Sequence, residues 1–250
     1  MPDSPGDRPP APKRIWRMRQ RWSRLLFAHW PIPAAEVQAK LPAGLVADTF
    51  DGTAWLGVVP FTMDRVRFRS VGERTFGVPT AHAFPELNLR TYVRTLDGRS
   101  GVYFFSLDAG SLLAVIGARI GFGLPYFWAR MAEEVAANGT IHYRSERRFG
   151  GSRVPASFSA QYRSLGTPSA DDDLRRFLTE RYALFVRRFG AVQVGHIHHE
   201  PWQLADAEAE IATNTLPQSF GFTLPDRPPV LHYSHEIQMQ AWTLRRLGAR

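Results

Sequence analysis

Cysteine is absent from this chain, and lysine nearly so. The first absence removes disulfides, thiolate nucleophiles and cysteine-type zinc sites together, and it fits a reducing compartment. The second bears on catalysis, because of 31 basic residues only Lys13 and Lys40 are lysine and the rest are arginine. Lysine can shed its proton and attack a carbonyl, whereas arginine stays charged and grips carboxylate or phosphate through paired N–H groups. Carbonyl capture by an amine therefore has almost no candidates. No run of eighteen apolar residues occurs, and the opening MPDSPGDRPPAPKRIW lacks the apolar segment of a signal peptide. A soluble, cytoplasmic protein without a transmembrane segment is expected. A glycine-rich dinucleotide turn, a phosphate loop and a Gly-x-Ser-x-Gly elbow are missing too, so no cofactor is implied and nucleotide and serine-hydrolase readings lose support.

What is present is ample core material. Apolar residues make up 44% of 250, with 17 Phe and 7 Trp, enough for one large core and for an aromatic-walled cavity. The formal charge of +8 reports on solubility and association. Residues 1–13 carry five prolines and no apolar periodicity, the composition of a disordered tail, and residues 14–250 read as a single domain. Lys13, Arg14, Arg17, Arg19, Arg21 and Arg24 interleave with Trp16 and Trp22. Either the aromatics pack on the domain while the arginines stay wet, or the stretch binds nucleic acid or another anionic surface by stacking and charge.

The spacing predicts helices over Pro33–Leu41, Pro125–Ala137 and Asp171–Arg188, the last with Asp171, Asp172 and Asp173 at its positive end and Gly190 beyond its close. Strand-like runs are Ala54–Thr62, Leu87–Leu96, Gly101–Leu107, Thr140–Arg148, Arg153–Arg163 and Val192–His198. Leu96-Asp97-Gly98 and Phe149-Gly150-Gly151-Ser152 are hairpin signals, so neighbouring strands pair antiparallel with helices inserted between groups of them. The class is α+β.

In Phe84-Pro85-Glu86-Leu87-Asn88-Leu89-Arg90-Thr91-Tyr92-Val93, the two-residue period of a strand puts Glu86, Asn88, Arg90 and Tyr92 on one face. That face is either wetted or the floor of a pocket. If it is a floor, Glu86 is an acid/base group and Arg90 an anion clamp. His196 and His198 share a strand face, but His199 points away and no third ligand is placed, so no metal site is assigned.

Several segments together resemble the YqjF-like family of uncharacterised proteins, a domain-of-unknown-function family. They are Phe27-Ala28-His29-Trp30-Pro31, Leu41-Pro42-Ala43-Gly44-Leu45, Asp51–Phe61, Phe84–Val93, Tyr103–Ala109, Gly123-Leu124-Pro125-Tyr126, His199-Glu200-Pro201-Trp202-Gln203-Leu204 and His232-Tyr233-Ser234. The family is in turn similar to acetoacetate decarboxylases. That similarity implies an antiparallel, cone-like β-barrel or sheet with flanking helices and an enclosed apolar pocket. Decarboxylases of that kind carry a Gly-Arg-Glu segment and a Pro-Lys-Lys motif whose first lysine forms the Schiff base. Here Ala118-Arg119-Ile120 keeps the arginine, while Tyr126 and Phe127 stand where the two lysines would be. The resemblance implies a small, anionic organic ligand in the pocket, with Glu86 and Tyr126 as catalytic candidates and Arg90, Arg119, Asn88 and His199 as ligand-binding ones. Chemistry of a lyase or isomerase kind is implied, without an imine. Tyr126 donates a hydrogen bond, acts as an acid with a tuned pKa, or fills space, and a non-catalytic interaction protein whose interior is merely core remains the competing reading. A small organic acid or carbonyl compound is the expected partner rather than nucleic acid, and a homo-oligomer is left open.

Overall fold

The computed structural model describes residues 8–69, 75–77, 83–149, 155–188 and 190–247. A long first strand, β1 (Met18–Ile32), leads through the short helix α1 (Ala34–Gln38) and β2 (Leu45–Ala47) into β3 (Ala54–Arg69) and β4 (Thr75–Gly77). The chain continues as β5 (Ala83–Thr95), β6 (Ser100–Ala109), helix α2 (Leu112–Phe122), β7 (Tyr126–Val135), β8 (Ile141–Phe149) and β9 (Ser157–Pro168). Helix α3 (Asp173–Thr179) precedes β10 (Ala183–Arg188), β11 (Ala191–His199) and β12 (Leu204–Asn214). A 3₁₀ turn at Gln218–Phe220, β13 (Val230–Ala241) and β14 (Arg245–Arg246) complete the described order.

The strands form one mostly antiparallel sheet that closes on itself in part, through two circuits of pairing. In one, β6 joins β7, β8, β9, β12, β13, β1, β3 and β5 and returns to β6; in the other, β11 bridges β10 and β13 around the same β6, β5, β3 and β1. The strands common to both circuits are therefore covered on both faces. Their alternation sorts side chains between two cores. Leu25 and Phe27 of β1, Val59 and Phe61 of β3, and Phe84 and Tyr92 of β5 fall in one core with Tyr126, Phe177 and Trp202. Leu26, Ala28, Leu56, Val58, Leu87 and Leu89 fall in the other, with Tyr143, Phe158 and Tyr162.

The α+β class stands, with three α-helices among the described residues against a dominant sheet. The 97–98 turn joins β5 to β6 as a hairpin, with Gly98 at φ 87°; the second hairpin signal, residues 150–152, lies outside the described residues. Two helix expectations are corrected. Pro125–Ala137 is strand β7, because Tyr126-Phe127-Trp128 pairs with β6 on one edge and the Ala-Met-Glu-rich remainder with β8 on the other, and pairing on both edges overrides helix propensity. Asp171–Arg188 is helical only over Asp173–Thr179, capped by the Asp172 side chain, and then turns into β10, whose Leu184 and Phe185 lie parallel to Val102 and Tyr103 of β6. Helix α2 had no counterpart in the expected elements, although Ser111 caps its start and Gly123 its end at φ 61°.

Of the expected tail, residues 1–7 lie outside the described residues, and Arg8 makes a bidentate pair with Glu200. No helix of the described residues is long and apolar enough to cross a membrane.

Where β10 meets β6, Gly101 is packed so closely that a Cβ would stand 2.5 Å from the Ala183 carbonyl oxygen and 2.7 Å from the Phe185 ring. Neither neighbour can yield without parting the strands. Gly101→Ala is expected to cost about 1–3 kcal/mol, as overpacking does, with a melting temperature well below wild type in a calorimetric scan. An unchanged melting temperature would show that this seam is not tight.

Candidate functional site

Strand β5 is buried on both faces, so its polar side chains project into protein. Glu86, Asn88 and Arg90 are 1%, 4% and 7% exposed, which settles the choice between a wetted face and an interior one. They lie on the face that also carries Phe84 and Tyr92, against the aromatic core.

At one end of this strip the Tyr126 hydroxyl donates to Glu86 Oε2 at 2.9 Å, and the Asn88 side chain also donates to the carboxyl. Burial is the main influence on Glu86, with a smaller push from the charge of Asp108. The two hydrogen bonds pull the other way, and the outcome is a carboxyl raised to about 8. Glu86 is thus mostly protonated at neutral pH, and burial holds Tyr126 well above its ordinary value, so its hydroxyl stays a donor.

At the other end Arg90 is held by its neighbours across the sheet. His29, Gly57 and Arg90 stand in one cross-strand row, and a Cβ on Gly57 would come within 3.0 Å of the His29 ring and 3.4 Å of the Arg90 side chain. Glycine is what lets the two approach. Arg90 donates to the Leu178 carbonyl at 3.1 Å and to the Tyr92 oxygen at 3.3 Å, and its guanidinium lies 5.0 Å over the Phe27 ring. Tyr92 donates its own proton to Leu178 O at 2.6 Å, so its contact with His29 Nε2, also 2.6 Å, requires His29 to be the donor. His29 is then protonated on Nε2 and bare on Nδ1, and burial keeps it neutral.

The end of α3 organises this corner. Its last carbonyls, which lack partners within a helix, accept from Arg181 at Phe177, from Arg90 and Tyr92 at Leu178, and from the Trp202 indole at Thr179. Arg181 also binds Asp48 at 2.7 Å, and Asp48 is shared with Arg94. The corner therefore buries two guanidinium groups against one carboxylate, and Arg90 faces only neutral acceptors. Among the described residues five polar atoms here have no protein partner: Arg90 Nε, Asn88 Oδ1, His29 Nδ1 and the indole nitrogens of Trp22 and Trp55.

The remaining candidates lie elsewhere. Arg119 is exposed on α2, its guanidinium 5.7 Å over Phe127, whereas Glu86 is buried. His199 is buried at the end of β11, stacked 4.6 Å from Tyr182 and bonded through Nδ1 to the Glu200 carbonyl, which makes it part of a structural corner with Trp202. Among the described residues no group of three or more His, Asp or Glu is arranged to hold a metal ion. In the basic N-terminal stretch Arg21 binds Asp64 and Glu236, Arg24 binds Glu133, and Trp22 stacks within the core on Trp202, while Lys13, Arg14, Arg17 and Arg19 are exposed. Among the described residues four clefts are lined by residues other than Glu86, Asn88, Arg90 and Tyr126.

Sequence reasoning missed the pairing of Asp108, which is buried, with Arg147, bidentate at 2.6 and 2.9 Å on the opposite face of β6. A bulge at Phe105, where Leu89 pairs Ser106 but Arg90 pairs Phe104, turns Asp108 to that side. Arg147 in turn lies 4.1 Å over Phe127, so a cation–π contact occupies the place of the second lysine. Only the charge of Asp108, one residue beyond the strand-like run Gly101–Leu107, hinted at it.

Comparison with known proteins yields one family and one fold. The profile of a family described as an uncharacterized conserved protein matches residues 19–238. The uncharacterized protein YqjF of Bacillus subtilis is 44% identical over 238 residues, covering 94% of each chain. Among solved structures, the enduracididine biosynthesis enzyme MppR complexed with pyruvate has a TM-score of 0.60 at 10% identity, covering 96% of this chain and 93% of its own. An acetoacetate decarboxylase-like enzyme from Sphingomonas wittichii RW1 has a TM-score of 0.58 at 14% identity, with 94% of each chain covered. The acetoacetate decarboxylase of Legionella pneumophila scores 0.55 at 14% identity, over 96% of this chain and 94% of its own.

The Glu86 carboxyl carries a pH signature. In the unfolded chain it ionises near the ordinary value of 4.5 and in the folded chain near about 8. Between these values the folded state holds the extra proton, so its stabilising effect is full below the lower value and is lost as pH rises to the higher one. Glu86→Gln, neutral throughout, is expected to flatten this fall, so that wild-type stability relative to the variant drops by a few kcal/mol from about pH 5 to 8. Parallel profiles for the two proteins would show that Glu86 ionises normally.

Proposed function

The chain belongs to the YqjF-like family of uncharacterised proteins, and on the arrangement of its interior we propose that it binds a small organic acid between Arg90 and Glu86. The reading takes residues 14–250 as one domain of acetoacetate decarboxylase-like fold. One observation carries it: Arg90 is a buried guanidinium that meets no carboxylate among the described residues and has a free Nε–H. Arginine cannot discard its charge, and an isolated ion in an apolar interior costs several kcal/mol. An anionic ligand supplies the missing partner.

The rest of the strip suits the other end of such a ligand. Glu86 and Arg90 are four residues apart, roughly 13 Å along a strand, with Asn88 and its unpartnered Oδ1 between them. A carboxylate at Arg90 would direct a carbonyl farther along the ligand past Asn88, whose Oδ1 can only accept, to the protonated Glu86 carboxyl, which can donate to it. Glu86, balanced near neutrality, is suited to give or take a proton at the carbon beside that carbonyl, and Tyr126 holds the acid in place. This is chemistry of the lyase or isomerase kind. Pyruvate, with which the MppR structure is complexed, is the natural first probe. An imine is not part of the reading, because Tyr126 occupies the motif's lysine position and Lys40 stands 4.9 Å from the Phe222 ring in a different cleft.

Pyruvate and other short 2-oxo acids are expected to raise the melting temperature of the wild type, since a ligand that binds only the folded state adds to its stability. Arg90→Met is expected to abolish that rise while leaving the unliganded protein as stable or more so, as happens when a poorly compensated buried charge is replaced by an apolar side chain. Borohydride added to the pyruvate-loaded wild type is expected to leave its mass unchanged. A full thermal response in the Arg90 variant, or a reduced adduct, would contradict the proposal.

A further inference from the structure

A second site stands apart from the interior strip. Along an edge of β6 a cleft of about 260 Å³ opens between Lys40, just beyond α1, and Arg187, on β10. Its origin is topological. Strand β10 runs beside β6 at Val102 and Tyr103, and β7 takes over from Leu107, so between Tyr103 and Leu107 that edge of β6 is paired with neither. The bulge at Phe105 falls in this gap.

The gap is walled by aromatic rings. Tyr103 and Phe105 meet edge to face at 5.4 Å, and Phe220, from the 3₁₀ turn, closes on Phe105 at 5.7 Å. The rim is cationic. Gly221, at φ 71°, lets Lys40 lie over the loop, where a Cβ would stand 3.0 Å from its Nζ, and the ammonium sits 4.9 Å over the Phe222 ring. Arg187 is near enough to the half-buried Tyr103 hydroxyl for its charge to act on it. No acidic side chain lines the cleft, and among the described residues neither Lys40 nor Arg187 meets a carboxylate. This sets them apart from Arg21, Arg24, Arg147, Arg163 and Arg181, each of which does.

Flat walls of ring faces and edges select a planar, unsaturated body, and two cations without counter-charges select an anion. The volume is below that of a drug-sized pocket, so the ligand is small. We propose that the Lys40–Arg187 cleft binds a small aromatic carboxylate, its ring among Tyr103, Phe105 and Phe220 and its carboxylate at the cationic rim. Phe104 belongs both to the wall of this cleft and to the interior core, and so separates the two sites. The proposal does not depend on what the interior binds.

Benzoate is the probe, followed by titration calorimetry, with benzamide as its neutral counterpart. Wild type is expected to bind benzoate saturably at millimolar concentrations and benzamide about tenfold more weakly, the loss of a charged hydrogen bond. Lys40→Met and Arg187→Met should each weaken benzoate about tenfold, and Arg90→Met should leave it unchanged. Arg187 is exposed, so its variant keeps the test valid if the Lys40 variant folds poorly. The proposal is overturned if benzoate does not saturate, if neither rim variant changes its affinity, or if Arg90→Met abolishes binding, which would place benzoate in the interior.

Discussion

A strand covered on both faces has no wet side on which to display charge. That constraint acts on β5, which belongs to both circuits of the sheet, and it turns Glu86, Asn88 and Arg90 from surface residues into interior ones. Each then has to be accommodated by its surroundings. Glu86 is accommodated by keeping its proton and by two hydrogen bonds. Arg90 has no such route and leans instead on the carbonyl end of α3 and on aromatic faces.

The adjoining groups follow from this arrangement. Gly57 gives up its side chain so that His29 and Arg90 can share a row; Tyr92, bonded outward to Leu178, fixes the tautomer of His29. Arg181 takes the only buried carboxylate of the corner. Buried ion pairs add little net stability against apolar replacements of equal size, whereas an unmatched ion costs a good deal. The proposed ligand would offset that cost by pairing with Arg90.

Some of this was legible in the sequence and some was not. The period-two alternation around Glu86, Asn88 and Arg90 identified their common face, but burial could not be read from it, because β1, β12 and β13, which help to close the circuits, lay outside the runs recognised as strands. The Tyr126–Glu86 contact was anticipated from the place of Tyr126 in a motif. The helix expected around it was wrong, since Ala129, Met131 and Glu133 favour helix in isolation while pairing on two edges decides for strand. Arg119 was assigned by a different segment, the one matched to Gly-Arg-Glu, and it is exposed on α2. The pairs Asp48–Arg181 and Asp108–Arg147 join residues far apart in the chain, and the Phe105 bulge that aims Asp108 leaves no mark in composition or period.

The central claim is that Arg90 is a buried cation whose counter-ion is a ligand. A crystal structure of the wild type grown with pyruvate tests it most directly. The account predicts a carboxylate oxygen within about 3 Å of Arg90 Nε, a hydrogen-bond distance, with the remainder of the molecule lying over Asn88 toward Glu86. An interior closed by side chains, with Arg90 Nε bonded to protein or water and no pyruvate beside it, would contradict the claim.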